Sequence, residues 1–208
     1  MIDLLEFHRR TTEVTDSIVD KVTADLLDVP TPCAGWDLRQ LLAHMIGQNR
    51  GFAAAARGTG PTLDVWADWP VGQDPAGDHR AVSADLLQAF AQPDAATRGW
   101  WLAEFSRERP FPPQQAVGFH LLDTMVHGWD VAVSIGVPVE FDDDLTAAVL
   151  KVARAVPDGP GRLQPNAAFR PGVPQPDDAA PLPRILAMLG RSPDWSPSST
   201  GDETVQTD

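Results

Sequence analysis

The segment 117–133, VGFHLLDTMVHGWDVAV, constrains this chain more than any other part of it. Val117, Phe119, Leu121, Leu122, Met125, Val126, Trp129 and Val131 make it the most apolar stretch, so a helix here is buried on most sides. The same helix carries His120, Asp123, His127 and Asp130. At about 100° per residue these positions fall at roughly 0°, −60°, −20° and −80°, all on one side. The polar stripe therefore faces inward, and buried ionisable groups need partners from other elements.

The rest of the chain supplies such neighbours. Over residues 3–28, Leu4, Phe7, Thr11, Val14, Ile18, Val22 and Leu26 recur at helical spacing, and Pro30 and Pro32 follow. A second helix starts where Asp37 caps and Gln40 completes a capping-box pattern, and it runs to about Arg57. Residues 58–78 read as a long connection whose Trp66 and Trp69 pack on the bundle or wall a pocket. A third helix is expected over residues 78–91, with Val82, Leu86, Leu87 and Phe90 as its buried stripe, and a fourth over 114–135. A fifth, over 142–156, follows three Asp whose charge suits a helix N-terminus.

Half of the 20 prolines lie from Pro157 onward, with one short helical stretch at 183–189. Strand signals are poor and there is no internal repeat. The expected fold is all-α: a bundle of four main helices over residues 1–157 with an added helix, then an irregular Pro-rich extension over 158–191 whose short helix packs on the bundle. Residues 192–208 are expected to be a disordered tail.

Composition narrows the function. With 16 basic and 29 acidic side chains the chain carries a net charge of −13, which repels nucleic acid. Cys33 is the only cysteine, so there is no intramolecular disulfide and no multi-cysteine metal cluster. A metal must be held by His and carboxylates. No stretch is long and apolar enough to span a bilayer and no signal core follows the N-terminus, which points to a cytoplasmic protein, monomer or homodimer, acting on a small molecule. Lys21 and Lys151 are the only lysines beside many arginines, a bias that hints at a GC-rich genome.

Asp123 and His127 lie one helical turn apart, roughly 6 Å, so both can grip one cation. They can equally hydrogen-bond each other. His44, among Leu41, Leu42, Met45 and Ile46 on the second helix, is a third inward candidate that a bundle brings across about 8–10 Å. A single buried His is often a core residue, and neither signal decides alone.

The stretches PTPCAGWDLRQLLAHMIG (30–47) and LLDTMVHGWDVAVSIG (121–136), with the closing LAMLGRSP (186–193), resemble the signature segments of the DinB-like metal-binding superfamily. Within it they are similar to the actinobacterial branch that includes mycothiol-dependent maleylpyruvate isomerase. The resemblance implies an up-down-down-up four-helix bundle with His44, Asp123 and His127 holding one divalent metal at an open end. Asp123 stands where the isomerase has Glu and many other members have His. The implied metal is zinc, with nickel or iron as alternatives, and the implied chemistry is activation of a thiol such as mycothiol against a small electrophile. The full isomerase carries a further C-terminal domain, so the resemblance points to the thiol chemistry more than to the maleylpyruvate reaction itself.

Other residues are ambiguous in the sequence. His120 either lines the site or is simply buried, and Asp130 either orients a ligand imidazole or bonds a backbone amide. His8 either faces the bundle mouth or is an ordinary packed or exposed His. Arg80 is a candidate for an anionic substrate, with solvent exposure as the alternative. His79 is expected on the surface and Cys33 as a packed thiol near the helix start. A metal-dependent transferase or isomerase is the leading reading. A metal-dependent hydrolase and a non-catalytic, stress-related metal-binding protein share the same three ligands.

Overall fold

The second helix begins as the sequence dictates: the Asp37 carboxylate accepts from the Gln40 backbone N–H at 2.8 Å, and the Gln40 side chain accepts from the Asp37 N–H at 3.0 Å. This computed structural model describes residues 2–164, 167–176 and 178–197, without the side chains of residues 2 and 3. Among them are six α-helices and no β-strand: α1 (Ile2–Val19), α2 (Leu38–Ala56), α3 (Pro75–Phe90), α4 (Pro113–Ser134), α5 (Asp143–Ala153) and α6 (Pro181–Met188). The single-residue pairing of Trp100 with Phe111 is too short to make a sheet.

The first four helices form an up-down-down-up bundle. Along α1, His8 meets His120 and Thr15 meets Thr124 of α4, so the two run parallel. Between α1 and α3 the pairing reverses, because His8 packs on Phe90 whereas Asp16 faces His79. It reverses again between α2 and α4, where His44 meets His127 and Phe52 meets His120. The polar stripe of α4 is thereby enclosed by α1 and α2. Helices α5 and α6 pack on each other, with Ile185, Leu186 and Leu189 joining Leu121, Leu122 and Met125 in one apolar cluster.

Several boundaries differ from the sequence expectation. Helix α1 ends at Val19, not near residue 28, and Ala24–Leu26 form a 3-10 turn. Val22 is still buried beyond the helix end, but Leu26, expected on the stripe, is half-buried and Leu27 takes the inward place, so the turn shifts the pattern by one residue. Helix α3 starts at Pro75 rather than Asp78, because Asp74 caps it through the Gly77 N–H and proline suits the first helical position. Of the expected disordered tail, Trp195 packs on the α5–α6 cluster; residues 198–208 lie outside the described residues.

Between α5 and α6 the described part of the Pro-rich extension holds only a 3-10 turn, Pro160–Leu163, and its carbonyls need donors that proline cannot supply. The buried Arg162 provides them, donating to the carbonyls of Val156, Pro157, Arg170 and Met188.

The connection after α2 is held by two glycines. A Cβ on Gly47 would stand 2.8 Å from the Ala67 carbonyl, and one on Gly51 only 2.3 Å from the Trp66 ring. Their bare surface lets the connection lie flat on α2, and the Trp69 N–H reaches the Ala43 carbonyl at 3.0 Å. This fixes Asp68 beside His44. Gly51→Ala gains about 1 kcal/mol of helix propensity but forces the buried indole off the helix, which costs about 1–3 kcal/mol. The variant should unfold at lower urea than the parent. An unchanged midpoint would mean that the ring moves aside freely.

Candidate metal centre

Three polar side chains from two helices converge at the end of the bundle where α2 begins. One ligand-capable atom from each of His44, Asp123 and His127 lies within 4.8 Å of the other two. On α4 the one-turn spacing sets His127 Nε2 3.3 Å from Asp123 Oδ1. His44 reaches them from α2, two turns beyond the cap, with its ring edge-on to His127 at 5.4 Å between centroids. Its side chain keeps 23% exposure, so the cluster opens to solvent on that side. Trp36 packs on the ring at 5.1 Å, and Asp68 Oδ1 lies 3.7 Å from His44 Nδ1.

Behind His127 the arrangement is closed. Its Nδ1–H donates to Asp130 Oδ2 at 2.9 Å, and Asp130 has no exposed surface. The same carboxylate accepts from Arg191 Nη2 at 3.1 Å and from the Cys33 thiol at 3.3 Å. Because Asp130 is paired with a guanidinium it is an acceptor, so His127 Nδ1 carries a proton, and Nε2 is the atom that faces Asp123 and becomes a ligand atom once its own proton is displaced. Cys33, His127 and Asp130 also form a close donor set. Arg191 Nη2, 3.4 Å from Cys33 Sγ, already places a positive charge there, which disfavours a second cation.

Charge follows the same geometry. Burial pushes the Asp123 carboxyl up, but the neighbouring His127, His44 and His120 outweigh it and hold it well below the usual range. Burial pushes His127 down, yet Asp123, Asp130 and Cys33 raise it well above the ordinary imidazole value. His44 is lowered by burial and by His127. Without a cation, then, His127 and Asp123 hold a proton as an ion pair, and a cation entering the cluster must displace it.

The remaining candidates are placed differently. His120 turns away from the cluster: its Nδ1 lies 2.8 Å from His8 Nε2 and 3.0 Å from Thr124 Oγ1, and its ring packs on Phe52. His8 is buried inside the bundle rather than at its mouth. Among the described residues neither His8 Nδ1 nor His120 Nε2 finds a hydrogen-bond partner. Arg80 lies on the outside, 57% exposed and paired with Asp20. His79, expected on the surface, is buried instead, 3.1 Å from Asp16 Oδ1. It shares a small cavity of about 10 Å³, room for one water, with Asn49, Ser83, Asp123 and His127.

Arg191, Asp68 and His79 were not singled out as site residues from the sequence. For His79 a signal existed, since 79, 83, 86 and 90 follow helical spacing and all four are buried. Arg191 stands inside the closing LAMLGRSP segment but had no assigned role. Asp68 lies in an aperiodic connection and carried no signal.

Comparison with known proteins bears on the same residues. The family model described as the mycothiol maleylpyruvate isomerase N-terminal domain matches residues 8–132, which include all three converging side chains. Two uncharacterized proteins, from two strains of Mycobacterium tuberculosis, are each 29% identical over 198 residues, covering 92% of this chain and 99% of the relative. No solved structure matches the chain. Among the described residues no helix is long and apolar enough to cross a membrane.

The His8–His120 pair makes stability depend on pH. Burial lowers His120 to about 4, and burial together with His120 puts His8 well below its ordinary value. An imidazole depressed in the fold costs stability once the unfolded chain takes up the proton. The contribution of His120 is therefore flat above about pH 6.5 and falls by about 1.4 kcal/mol per unit below it. His127, shifted the other way, masks this in the total. Measured on metal-free protein, the stability gap between the parent and His120→Gln should narrow by about 2 kcal/mol from pH 7 to pH 5. A gap independent of pH would mean that His120 takes up its proton in the fold as readily as in the unfolded chain.

Proposed function

This chain belongs to the mycothiol maleylpyruvate isomerase N-terminal domain family, within the DinB-like superfamily, and from that premise we propose that it is a divalent-metal-dependent thiol transferase or isomerase. Its thiol is of the mycothiol type and its other substrate is a small electrophile. The observation that carries this reading is the convergence of His44, Asp123 and His127 on a point open to solvent on one side.

The donor set fits a divalent cation. Two imidazoles and one carboxylate match the two-His, one-carboxylate pattern of zinc sites that keep a position open for a ligand. The same nitrogen and oxygen donors suit nickel or iron, so availability selects among them. His127 has a carboxylate behind it, as metal-binding imidazoles usually do. A cation held here supplies Lewis acidity, which favours the thiolate form of a thiol bound to it.

The chain's own groups supply the rest. Asp130 keeps the proton on His127 Nδ1, so that Nε2 is the donor. Asp123 would bring one negative charge to the centre, leaving a cation held there less electrophilic than three imidazoles would. Asp123 is also one methylene shorter than Glu, yet its Oδ1 stands 3.3 Å from His127 Nε2, a separation at which both atoms could reach one cation. The exposed edge of His44 leaves the open side facing water, to which the proton of an incoming thiol departs. Such chemistry belongs in the cytoplasm, where low-molecular-weight thiols are kept reduced.

Purified protein should hold a stoichiometric divalent ion, and His44→Ala or His127→Ala should abolish it. Full metal content in both variants would overturn the site. Asp123→Asn should lose more than the roughly 10–100-fold typical of a group that only supports a ligand. Cobalt-substituted protein titrated with mycothiol should change its visible spectrum. A spectrum unmoved by thiol, in a protein that binds cobalt well, would leave a metal-binding protein without thiol chemistry.

A further inference from the structure

We propose that Arg191 is a positioning residue of the metal centre, holding His127 in its ligating orientation through Asp130. The inference rests on the reading of His127 as a metal ligand and assigns the segment beyond α6 a part in building the site.

The local sequence explains how an arginine so far along the chain reaches α4. Helix α6 ends in a Schellman turn: the Gly190 N–H donates to the Ala187 carbonyl at 3.1 Å and the Arg191 N–H to the Leu186 carbonyl at 2.9 Å. Gly190 sits at φ +79°, where a side chain is strained, and a Cβ there would stand 2.7 Å from the Arg170 carbonyl. This turn reverses the chain and sends the Arg191 side chain back under the bundle, where it is almost fully buried.

The guanidinium then meets both oxygens of one carboxylate. Nη2 lies 3.1 Å from Asp130 Oδ2, and Nε lies 3.5 Å from Asp130 Oδ1. Nη1 donates to the Leu189 carbonyl at 3.0 Å, which fixes the fork in place. Asp130 Oδ2 is also the atom that accepts from His127 Nδ1. The order is thus Arg191, Asp130, His127, and then the point shared with Asp123 and His44. Every link behind the imidazole is shielded from water, so no solvent molecule replaces a missing partner without opening the packing. A buried carboxylate deprived of its guanidinium must find another donor, and turning toward one releases His127.

Burial of an arginine against an aspartate also fastens α6 to α4, and that alone accounts for the contact if metal binding is indifferent to it. Docking has other support, because Ile185, Leu186 and Leu189 are fully packed in the α5–α6 cluster. The two roles therefore separate experimentally. Arg191 lies outside the family-matched residues 8–132, so a domain cut at that boundary loses it.

The test compares full-length parent, Arg191→Met, Arg191→Lys and Asp130→Asn, with zinc affinity measured by chelator competition, the visible spectrum after cobalt loading, and cooperative melting of each metal-free protein. Arg191→Met should lose about 10–100-fold in zinc affinity and alter the cobalt spectrum. Lysine keeps the charge without the fork and should recover part of the loss. Combined with Asp130→Asn, the Arg191→Met change should add little, because both break one chain of contacts. Parent-like affinity and spectrum in Arg191→Met overturn the proposal and leave a structural ion pair. Should that variant not melt cooperatively, Arg191→Lys decides by the same two readouts, parent-like values in it being the overturning result. Failure of the parent itself to bind zinc or cobalt overturns the metal reading and this inference together; tight binding by the parent with indifference at Arg191 overturns this inference alone.

Discussion

Helix α4 places a carboxylate with no exposed surface inside the bundle, and much of the molecule is arranged around that cost. Asp130 is satisfied by contributions that arrive from different parts of the chain: His127 from its own helix, Cys33 from the turn before α2, and Arg191 from beyond α6. Each partner depends on a local device. Cys33 lies in the turn whose Thr31 hydroxyl accepts from the Cys33 N–H and donates to the Trp36 carbonyl just ahead of the α2 cap. Arg191 depends on the Schellman turn at Gly190. An unpaired buried charge costs several kcal/mol, so these devices act together, and the Pro-rich extension is tied to the bundle by a polar contact as well as an apolar one.

The helices were legible because their signals are local. The capping box at Asp37, the apolar stripe of α4 and the glycine at 136 that ends it act within a few residues, and the bundle follows from the need to cover a helix that is apolar almost all round. Of the site, the convergence of His44 with Asp123 and His127 was legible through the spacing on α4 and the resemblance of the two signature segments. The end of α1 was not, because Val22 is buried from beyond the helix as it would be from within it, and hydrophobic period reports burial before it reports backbone hydrogen bonding; the break shows only at Leu26, half-buried where Leu27 takes the inward place. Asp68 was not legible either. Its position depends on Gly47 and Gly51 clearing a path across α2, a long-range fit that no periodicity encodes.

His79 and Arg80 make the same point in a single dipeptide. Adjacent residues on a helix point about 100° apart, so one of two neighbouring basic residues turns inward when the other turns out. The stripe of Ser83, Leu86 and Phe90 sets the inward direction, and His79, one turn before Ser83, falls on it. Reading α3 as starting at Asp78 left His79 at a frayed end, where orientation carries little meaning. With the start at Pro75 it lies in the second turn and lines the small cavity beside Asp123 and His127.

The two imidazoles of the cluster are supported unequally. His127 is buried, and its Nδ1–H meets a buried carboxylate at 2.9 Å that is itself gripped by an arginine. His44 stands at the rim, and its Nδ1 faces an exposed carboxylate at 3.7 Å, beyond direct hydrogen-bond range. A side chain held by buried partners keeps one rotamer, whereas one facing water through a long contact retains freedom to shift. The α4 side of the cluster is therefore the fixed wall, and the α2 side, where His44 meets Trp36 and the connection carrying Asp68, is the one able to yield. Solvent reaches the cluster at that yielding side, so any adjustment of the cluster falls to the rim while the geometry of Asp123 and His127 on α4 stays constant.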